Sequence, residues 1–491
     1  MPPHANAPPC QNVYRPRRPA DTVLYQVVAQ HLETYLYLAR QGGLDFDAVP
    51  EPVEREFRKY LECGILAYGF ARARCDECGH SFLIAFSCKG RLCPSCNARR
   101  MAETAAHLVD HVFPRLPVRQ WVVSFPKWLR YFLKKDPAVL SAALGIVLRI
   151  IEQSVRAGCP GAGPNARMGA VVFIHQFGSS LNEHIHFHIV VIDGVFEPSD
   201  NDAGVVFFEA MALDESTITE VQATIRRRVL KAFVRRGLLN PDERQTLEQW
   251  EHGGGFSVDA QVRIEGWDRQ ALERLLRYCA RPPFALERLE EVDAQQIIYH
   301  LPKPTPGGQT TRTLTPLELI GLIAQLIPRP RTHRHRYFGV LAPNATLRQA
   351  VTALACASES NANTESETST PDHRVDPQET QNPEENSETS SRSCAHYLWA
   401  MLLARIFEVF PLTCPHCGGS MRLMAFITDS SSIKRLLNHI GEPSTPPPIT
   451  RPRGPPEWDS DDTFGLEDPS QEGDGNVDPE PEYEYDQRVS W

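Results

Sequence analysis

The stretch from Leu181 to Phe196, LNEHIHFHIVVIDGVF, constrains the fold more than any other part of the chain. It places His184, His186 and His188 at every second position, with apolar residues between them. Side chains of a β-strand alternate between its two faces, so a strand here would line one face with imidazole and bury the other. The ordinary alternative to a metal site is three solvated or hydrogen-bonded histidines on an exposed sheet face.

A second predicted strand, GAVVFIHQFG, precedes the histidine strand and is separated from it by a short polar loop. A hairpin with a six-residue loop would pair Phe177 with His184. In this register His175 lies opposite His186, shares the imidazole face and becomes the candidate third metal ligand. A shift of one residue would bring Gln176 forward instead, because successive side chains point to opposite faces.

Two C-x-x-C pairs lie fourteen residues apart, Cys75 with Cys78 and Cys93 with Cys96. Each pair can turn two thiolates toward one ion, and two pairs complete the tetrahedral four-thiolate shell that suits Zn²⁺. The spacing therefore predicts a structural zinc ribbon in a cytosolic protein, where disulfides are rare. Cys88 is an additional cysteine between the pairs.

A third C-x-x-C pair, Cys414 with Cys417, has no obvious second half. Cys394 together with His396 is one candidate to complete it. Near the first pair, His80 is an alternative ligand of the zinc ribbon.

The charge of the chain is unevenly distributed. The formal net charge is −10, but residues 357–393 and 457–491 carry a larger acidic excess than that, so the remainder is basic. A basic body favours a polyanionic partner. The N-terminus lacks the apolar core of a secretory signal, and no apolar run is long enough for a membrane span. We therefore expect a cytosolic protein without a membrane partner.

The composition divides the chain into six regions, of which the acidic ones are expected to be disordered. In order they are a mobile arm (1–20), N-terminal helices with the zinc ribbon (21–105), the domain of the histidine strand (106–354), an acidic linker (355–393), a helix with the third cysteine pair (394–441) and a Pro-rich acidic tail (442–491).

The segment WDRQALERLLRYCARPP predicts a helix that ends at its two prolines and carries Tyr278 in the last turn. Arg277 and Arg281 flank Tyr278, so the phenol could point into a basic cleft rather than into a core. Tyr299 and Tyr337 are competing candidates for a reactive tyrosine. The basic side chains near these tyrosines are candidate DNA contacts: Arg277, Arg281, Arg329, Arg331, Arg334 and Arg336.

Histidines, a tyrosine and a basic surface together indicate one reaction class. Neutral imidazoles with open coordination positions suit a divalent ion that polarises a scissile phosphate. A tyrosine phenolate can then attack phosphorus in line, and a DNA 3′-OH leaves. The covalent phosphotyrosine retains the phosphodiester energy, so strand rejoining needs no nucleotide cofactor.

Four segments together resemble a known family: the histidine strand with its VVIDGVF continuation, FSCKGRLCPSC, RYCARPPFALERL and RPRTHRHRYFGVLAPN. They are similar to the insertion-sequence-ninety-one family of rolling-circle transposases, which belong to the HUH endonucleases. The resemblance covers roughly residues 60–441 without the acidic linker. It implies an α+β fold in which a central antiparallel sheet with flanking helices holds a two-histidine motif, beside a small N-terminal four-cysteine zinc ribbon.

The resemblance also implies site residues and partners. The motif histidines correspond to His186 and His188, with Mg²⁺ or Mn²⁺ as the catalytic ion, and Tyr278 corresponds to the family tyrosine. Some relatives carry a second tyrosine four residues upstream, where this chain has Arg274, so the chain resembles the one-tyrosine branch. The implied substrate is single-stranded DNA at transposon ends, in a bacterial cytoplasm at the nucleoid. The Cys414 pair fits the family as well.

Two other functions remain open at this point. HIHFHIVV also satisfies the pattern of histidine-triad nucleotide hydrolases, in which a histidine is the nucleophile, although such small enzymes require neither this length nor a zinc ribbon. Alternatively, the chain is a zinc-ribbon DNA-binding regulator without catalytic activity, and the histidines are structural.

Overall fold

The structure is a computed structural model that describes residues 17–42, 49–199, 204–211, 213–250, 252–305, 307–356 and 414–452. The region before residue 17, the linker from 357 onward with the helix predicted after it, and the tail beyond 452 lie outside these residues. Cys394 and His396 lie outside them as well.

Helices and strands are interspersed along the described chain. The helices are α1 (Val23–Gln41), α2 (Glu51–Glu62), α3 (Pro94–His111), α4 (Lys127–Lys135), α5 (Pro137–Ala157), α6 (Glu215–Arg235), α7 (Pro241–Gln249), α8 (Arg269–Ala280), α9 (Pro316–Leu326), α10 (Arg348–Cys356) and α11 (Ser430–Ile440). The strands are β1 (Phe70–Cys75), β2 (Ser81–Ala85), β3 (Val118–Ser124), β4 (Gly169–Phe177), β5 (Glu183–Ile192), β6 (Gly194–Pro198), β7 (Val205–Glu209), β8 (Ser257–Asp259), β9 (Arg263–Ile264), β10 (Leu289–Asp293), β11 (Gln296–His300), β12 (Thr311–Leu314), β13 (His335–Gly339) and β14 (Met421–Ile427).

The chain forms two compact units whose boundaries differ from the predicted regions. The small unit combines Gly64–Ser87 with the described part of Cys356–Pro446, and the large unit contains Pro19–Cys63 and Cys88–Ala355. The expected N-terminal region 21–105 therefore contributes to both units. Its predicted end falls inside α3, which cannot be divided because Ala105 and the residues after it pack in one core.

A six-stranded sheet forms the centre of the large unit. Its strands run in the order β13–β4–β5–β3–β8, and β9 pairs with another part of β3. All of these pairs are antiparallel. The α+β class with a central antiparallel sheet and flanking helices is thus confirmed.

Helices cover both faces of this sheet. One face packs against α4, α5, α6 and α7, and its core contains Trp121, Phe187 and Ile189. The other face packs against α3, α8 and α10. Because β4 and β5 are buried on both faces, their sequences are almost continuously apolar apart from the histidines.

The hairpin of β4 and β5 has the expected register at the histidines. His175 pairs with His186, which confirms the predicted register. The pairing of Phe177 with His184 is wrong: Phe177 pairs with Glu183, because a β-bulge shifts the register by one residue between His175 and Phe177. The bulge lies beyond the histidine pair, so the shared imidazole face is retained.

The small unit is a three-stranded antiparallel sheet in the order β14–β1–β2. On one side Phe70 packs with Ile433 and Leu437 of α11. A second small cluster contains Cys75, Cys414 and other buried apolar residues. Neither cluster is large, so apolar burial alone gives this unit little stability.

Helix α5 is, among the described helices, the one long and apolar enough to cross a membrane by length and composition, with half of its apolar window buried. Its Val139, Leu144 and Ile151 pack in the core beneath the sheet. This packing explains the apolar composition without a membrane.

A buried ion-pair network lies at the end of β5. The Asp193 carboxylate is fully buried and accepts two hydrogen bonds of 2.9 Å from the Arg119 guanidinium and one of 2.8 Å from Arg263 Nε. The next residue is Gly194, whose Cβ, if present, would clash with the carbonyl of Phe208. The ion pairs hold Asp193, directly after β5, beside β3 and β9. Gly194 allows the backbone to pass close to β7.

Replacing Asp193 with Asn should destabilise the large unit by about 3–5 kcal/mol, because the buried Arg119 guanidinium would lose its counter-charge. Urea denaturation followed by intrinsic fluorescence measures the change. Glu291→Gln, on the exposed side of β10, is the control and should change the unfolding free energy by less than about 0.5 kcal/mol. Equal effects of the two substitutions would contradict a structural role of the network.

Candidate active site and metal centres

Three histidines of the β4–β5 hairpin converge on one point. His175, His186 and His188 each offer a ring nitrogen, and these atoms lie within 4.8 Å of one another. All three side chains are buried, between 3% and 8% exposed. They continue the sheet face that packs against α8, as the period-two alternation of the strands requires. His184 is on the same side but outside this group of three.

Burial keeps these imidazoles uncharged. It lowers the pKa of His175 to about 3, with a further contribution from the positive charge of Arg281. It also lowers the pKa of His186 and of His188 well below the ordinary value. For His184, burial and the charge of Arg130 lower the pKa to about 4. A neutral imidazole is the form that binds a metal ion.

Hydrogen bonds orient the rings and leave lone pairs free. His175 Nε2 lies 2.6 Å from the carbonyl oxygen of Cys279 and can donate to it, which leaves Nδ1 unprotonated. His186 Nδ1 is 3.2 Å from the carbonyl of His184. In the described structure, His175 Nδ1 and His188 Nε2 are buried without a hydrogen-bond partner. Buried unsatisfied nitrogens of this kind fit a bound cation.

Gln120 on β3 forms a hydrogen bond with the His188 ring. Its amide nitrogen lies 2.8 Å from His188 Nδ1. An ion at Nε2 of His188 would require a proton on Nδ1, and Gln120 would then present its amide oxygen by a half-turn about its last bond. Nothing in the sequence pattern of the histidine strand pointed to Gln120, because this contact depends on the pairing of β3 with β5.

Tyr278 is held beside the histidines by α8. The helix buries an apolar stripe that includes Leu275 and Cys279, so the last turn lies against the imidazole face. The ring of Tyr278 meets that of His188 edge-on, with 5.5 Å between the centroids. The Arg281 guanidinium lies 4.6 Å from the centroid of the Tyr278 ring. Tyr278 remains 36% exposed, so a ligand can reach it.

The two competing tyrosines lie elsewhere. Tyr299 is only 1% exposed, on β11 in a separate three-stranded sheet. Tyr337 lies on β13, where its ring contacts His335 and the guanidinium of Arg348. Of the three candidates, Tyr278 is therefore the one placed beside the histidine cluster.

The predicted DNA-binding arginines have different environments. Arg281 lies over Tyr278, and Arg277 pairs with Glu273 at 2.6 Å. Arg329 and Arg331 are exposed in the segment before β13. Arg336 donates to the Ser141 hydroxyl at 3.2 Å.

Arg334 has an inward structural contact instead of an exposed position. Its guanidinium donates to Asn97 Oδ1 at 2.8 Å and to the carbonyl oxygen of Arg91 at 3.2 Å. Burial, with the nearby charges of Arg100 and Arg91, lowers the pKa of Arg334 to about 10. A direct contact of Arg334 with DNA is therefore not supported by its position, which follows from a tertiary contact that the sequence pattern did not reveal.

The four cysteines predicted to share one ion are divided between two clusters, so that prediction is wrong. Cys93 and Cys96 join Cys63 and Cys88 in the large unit. Sulfur–sulfur distances of 3.6–3.7 Å connect this cluster. Four sulfurs at Zn–S bonds of roughly 2.3 Å would be about 3.8 Å apart, whereas a disulfide would require about 2.05 Å.

The second cluster joins the two ends of the small unit. Cys75 and Cys78 lie beside Cys417 and Cys414, with sulfur–sulfur distances of 3.4 Å and 3.5 Å. Backbone N–H donation, chiefly from Cys78, lowers the pKa of Cys75 to about 7, which favours the thiolate. Antiparallel pairing of β1 with β14 brings the two C-x-x-C turns together.

Sequence spacing missed these partners for two reasons. Cys63 and Cys88 do not form a C-x-x-C pair, so the spacing of the cysteines did not identify them as ligands. Cys88 was noted only as an additional cysteine between two pairs. The Cys414 pair is separated from its partners by more than 300 residues, and the suggested Cys394 and His396 were not needed to complete a set of four. The rings of His80 and His416 contact each other in a tilted arrangement, with 4.1 Å between their centroids, outside the four-sulfur set.

Mn²⁺ binding should depend on His175 but not on His184. Replacing His175 with Gln removes one ring nitrogen of the cluster and should weaken Mn²⁺ binding at least about tenfold. His184→Gln is the matched control and should bind Mn²⁺ as the parent protein does. Titration monitored by electron paramagnetic resonance measures both. A stronger loss in the His184 variant would assign the third ligand to His184.

Purified protein should contain two zinc ions per chain, because each four-sulfur set is complete. The double substitution of Cys414 and Cys417 with Ser should leave one ion, held by the cluster of the large unit. Elemental analysis by mass spectrometry measures the ratio. A single zinc in the parent protein, or loss of both ions in the variant, would contradict two independent sites.

Two family models match separate segments of the chain. Residues 169–349, which contain the three histidines and Tyr278, match the family described as "Putative transposase". Residues 27–125 match "Transposase zinc-binding domain", a range that includes six of the eight clustered cysteines. No solved structure matches the chain.

Two curated relatives are similar to the chain. "Putative transposase y4qJ" of Sinorhizobium fredii is 28% identical over 141 residues, which cover 28% of this chain and 33% of that protein. "Transposase for insertion sequence element IS801" of Pseudomonas savastanoi pv. phaseolicola is 23% identical over 326 residues, covering 63% of this chain and 74% of that protein. The chain thus spans about a third of the first relative and about three quarters of the second. Together these matches support an insertion-sequence-ninety-one (IS91) family transposase with an N-terminal zinc-binding domain.

Proposed function

We propose that the protein is a transposase that cleaves and rejoins single-stranded DNA at the ends of a mobile element through a covalent link to Tyr278. The observation that carries this proposal is the position of Tyr278, whose ring lies 5.5 Å from that of His188 beside the cluster of neutral imidazoles. A nucleophile and a cation site at this separation fit one phosphodiester between them.

The three imidazoles would hold a divalent ion, Mg²⁺ or Mn²⁺. Their depressed pKa values keep the rings neutral, and His175 and His188 each have a buried nitrogen without a hydrogen-bond partner. Such an ion supplies Lewis-acid chemistry, that is, it withdraws charge from a phosphate oxygen. Gln120 and the Cys279 carbonyl fix the orientation of two of the rings.

Tyr278 and Arg281 have complementary roles. The Tyr278 phenol loses its proton and its oxygen forms a bond to phosphorus, while the bond from phosphorus to the 3′ oxygen breaks and that oxygen takes up a proton. Arg281 lies over the Tyr278 ring and can contact the negatively charged phosphate oxygens in bidentate fashion. The reverse attack by a 3′-OH on the phosphotyrosine joins strands without a nucleotide cofactor.

One tyrosine serves both steps in this scheme. The position one helical turn before Tyr278 is Arg274, which is exposed on α8. A cycle that alternates between two tyrosines of this helix is therefore not available, and cleavage and rejoining would occur in succession at Tyr278. The exposed Arg329 and Arg331 are further candidates for phosphate contact, and we expect the protein to act at the bacterial nucleoid.

Incubation with Mg²⁺ or Mn²⁺ and a labelled single-stranded element end should yield a covalent protein–DNA adduct, detected by denaturing gel electrophoresis. Tyr278→Phe should abolish the adduct, because the nucleophilic oxygen is absent. Tyr299→Phe and Tyr337→Phe are matched controls and should retain it. An adduct in the Tyr278 variant would refute the assignment of the nucleophile.

Two further assays of the same protein, DNA binding and nucleotide hydrolysis, separate the alternative functions. Sequence-specific binding of the element end without cleavage or adduct would favour a DNA-binding regulator. Hydrolysis of adenosine phosphoramidates without metal would favour a histidine-triad hydrolase, which the family assignment and the tyrosine opposite the histidines do not support.

A further inference from the structure

A basic groove lies on the side of the large unit opposite the imidazole face. It runs between α5 and α6, which pack on the other face of the central sheet, and has a volume of about 590 Å³. Arg149 of α5 borders one wall. The other wall is formed by three cations of α6 and by the residue that follows the helix: Arg228, Lys231, Arg235 and Arg236. The sequence motifs and the proposed cleavage chemistry leave this groove without a role.

The positive charge of the groove is not neutralised locally. All five cations are exposed, and the lining contains no acidic residue. Within the described part of the chain, none of the five forms a salt bridge; Arg236 donates to the backbone carbonyl of Ala232 at 3.4 Å. Like charges crowded without counter-ions destabilise a fold slightly, so such a groove favours an anionic ligand that lies along it.

The floor of the groove is built from small residues, Ala142 and Gly145 of α5 and Ala232 of α6. A Cβ added at Gly145 would meet no atom within 4 Å, so the floor is open at this point. The lining contains no aromatic side chain on which a base could stack. Contacts would therefore be with the sugar–phosphate backbone and would not depend on sequence.

A path connects the groove to the edge of the sheet. β13 lies at one edge of the sheet, and its Arg336 donates to the hydroxyl of Ser141, which belongs to the groove lining. Arg336 therefore contacts the groove side of the sheet rather than the imidazole face. It adds a sixth cation at the end of the groove where a strand could pass around β13.

We propose that this groove binds the backbone of single-stranded DNA outside the cleaved phosphate, without reading its sequence. A concave channel with cations on both walls can neutralise one strand from two sides, whereas the convex surface of a duplex reaches only the rims. The inference rests on the proposed function only in taking DNA as the substrate.

The test compares two variants with the same loss of charge. The groove variant carries Arg228→Gln, Lys231→Gln and Arg235→Gln; the control variant carries Arg55→Gln, Lys59→Gln and Arg227→Gln, three exposed positions outside the groove. Fluorescence anisotropy with a labelled single-stranded oligonucleotide of mixed sequence measures affinity over a range of NaCl concentrations, with no added divalent ion. Thermal melting verifies that both variants are folded.

The groove variant should bind more weakly and with a shallower salt dependence. Each lost phosphate contact removes about 0.7 from the slope of log K against log salt, so three should remove about 2. The control variant should keep the parent slope. A further variant with Arg228→Lys and Arg235→Lys should also keep it, because the charge is retained. Equal slopes for the groove and control variants would overturn the proposal, and an equal loss on a duplex of the same sequence would overturn its single-strand part.

The assay requires no cleavage, so its outcome is separable from that of the proposed function. Loss of binding in the groove variant together with no Tyr278 adduct in the parent would leave the groove as a DNA site and refute the cleavage chemistry. A normal adduct together with unchanged binding in the groove variant would refute the groove alone.

Discussion

The antiparallel pairing of β4 with β5 is the constraint on which the candidate active site depends. Pairing His175 with His186 places three imidazoles on one face, and a shift of one residue would turn a different set of side chains toward α8. The register is fixed because the opposite face, with Ile185 and Phe187, is buried under α5 and α6. The bulge next to Phe177 shifts the strand register near the loop, and His175 still pairs with His186.

Burial of uncharged imidazoles and the position of α8 together prepare this site for an anionic substrate. Desolvation keeps the His186 and His188 rings neutral, while Arg281 provides a positive charge at the last turn of α8. The apolar stripe of α8 holds that turn against the sheet, and Tyr278, in the same turn, is left accessible. Buried nitrogens without hydrogen-bond partners cost stability, and binding of an ion would offset that cost.

The two cysteine clusters show where reasoning from sequence was incomplete. The C-x-x-C turns could be identified because two thiolates three residues apart are brought together by local backbone geometry. Their combination could not, because β1 must first pair with β14 before Cys75 meets Cys417. The small unit has little apolar core, so a metal at this cluster would supply much of its folding free energy. Arg334 is a similar case, since its inward contacts are to Asn97 of α3 and to Arg91, both distant in sequence.

The sequence by itself determined the strand, the face shared by its histidines and the helix that ends just after Tyr278, because strand alternation, helix periodicity and proline stops are properties of the local backbone. The α+β class followed from the resemblance of four sequence segments to a known family. Only the tertiary structure placed Tyr278, and neither Tyr299 nor Tyr337, beside the histidines, brought Gln120 to His188 and divided the cysteines between two clusters. These outcomes depend on which elements pack together, and packing is set by apolar surface contributed by residues far apart in the chain.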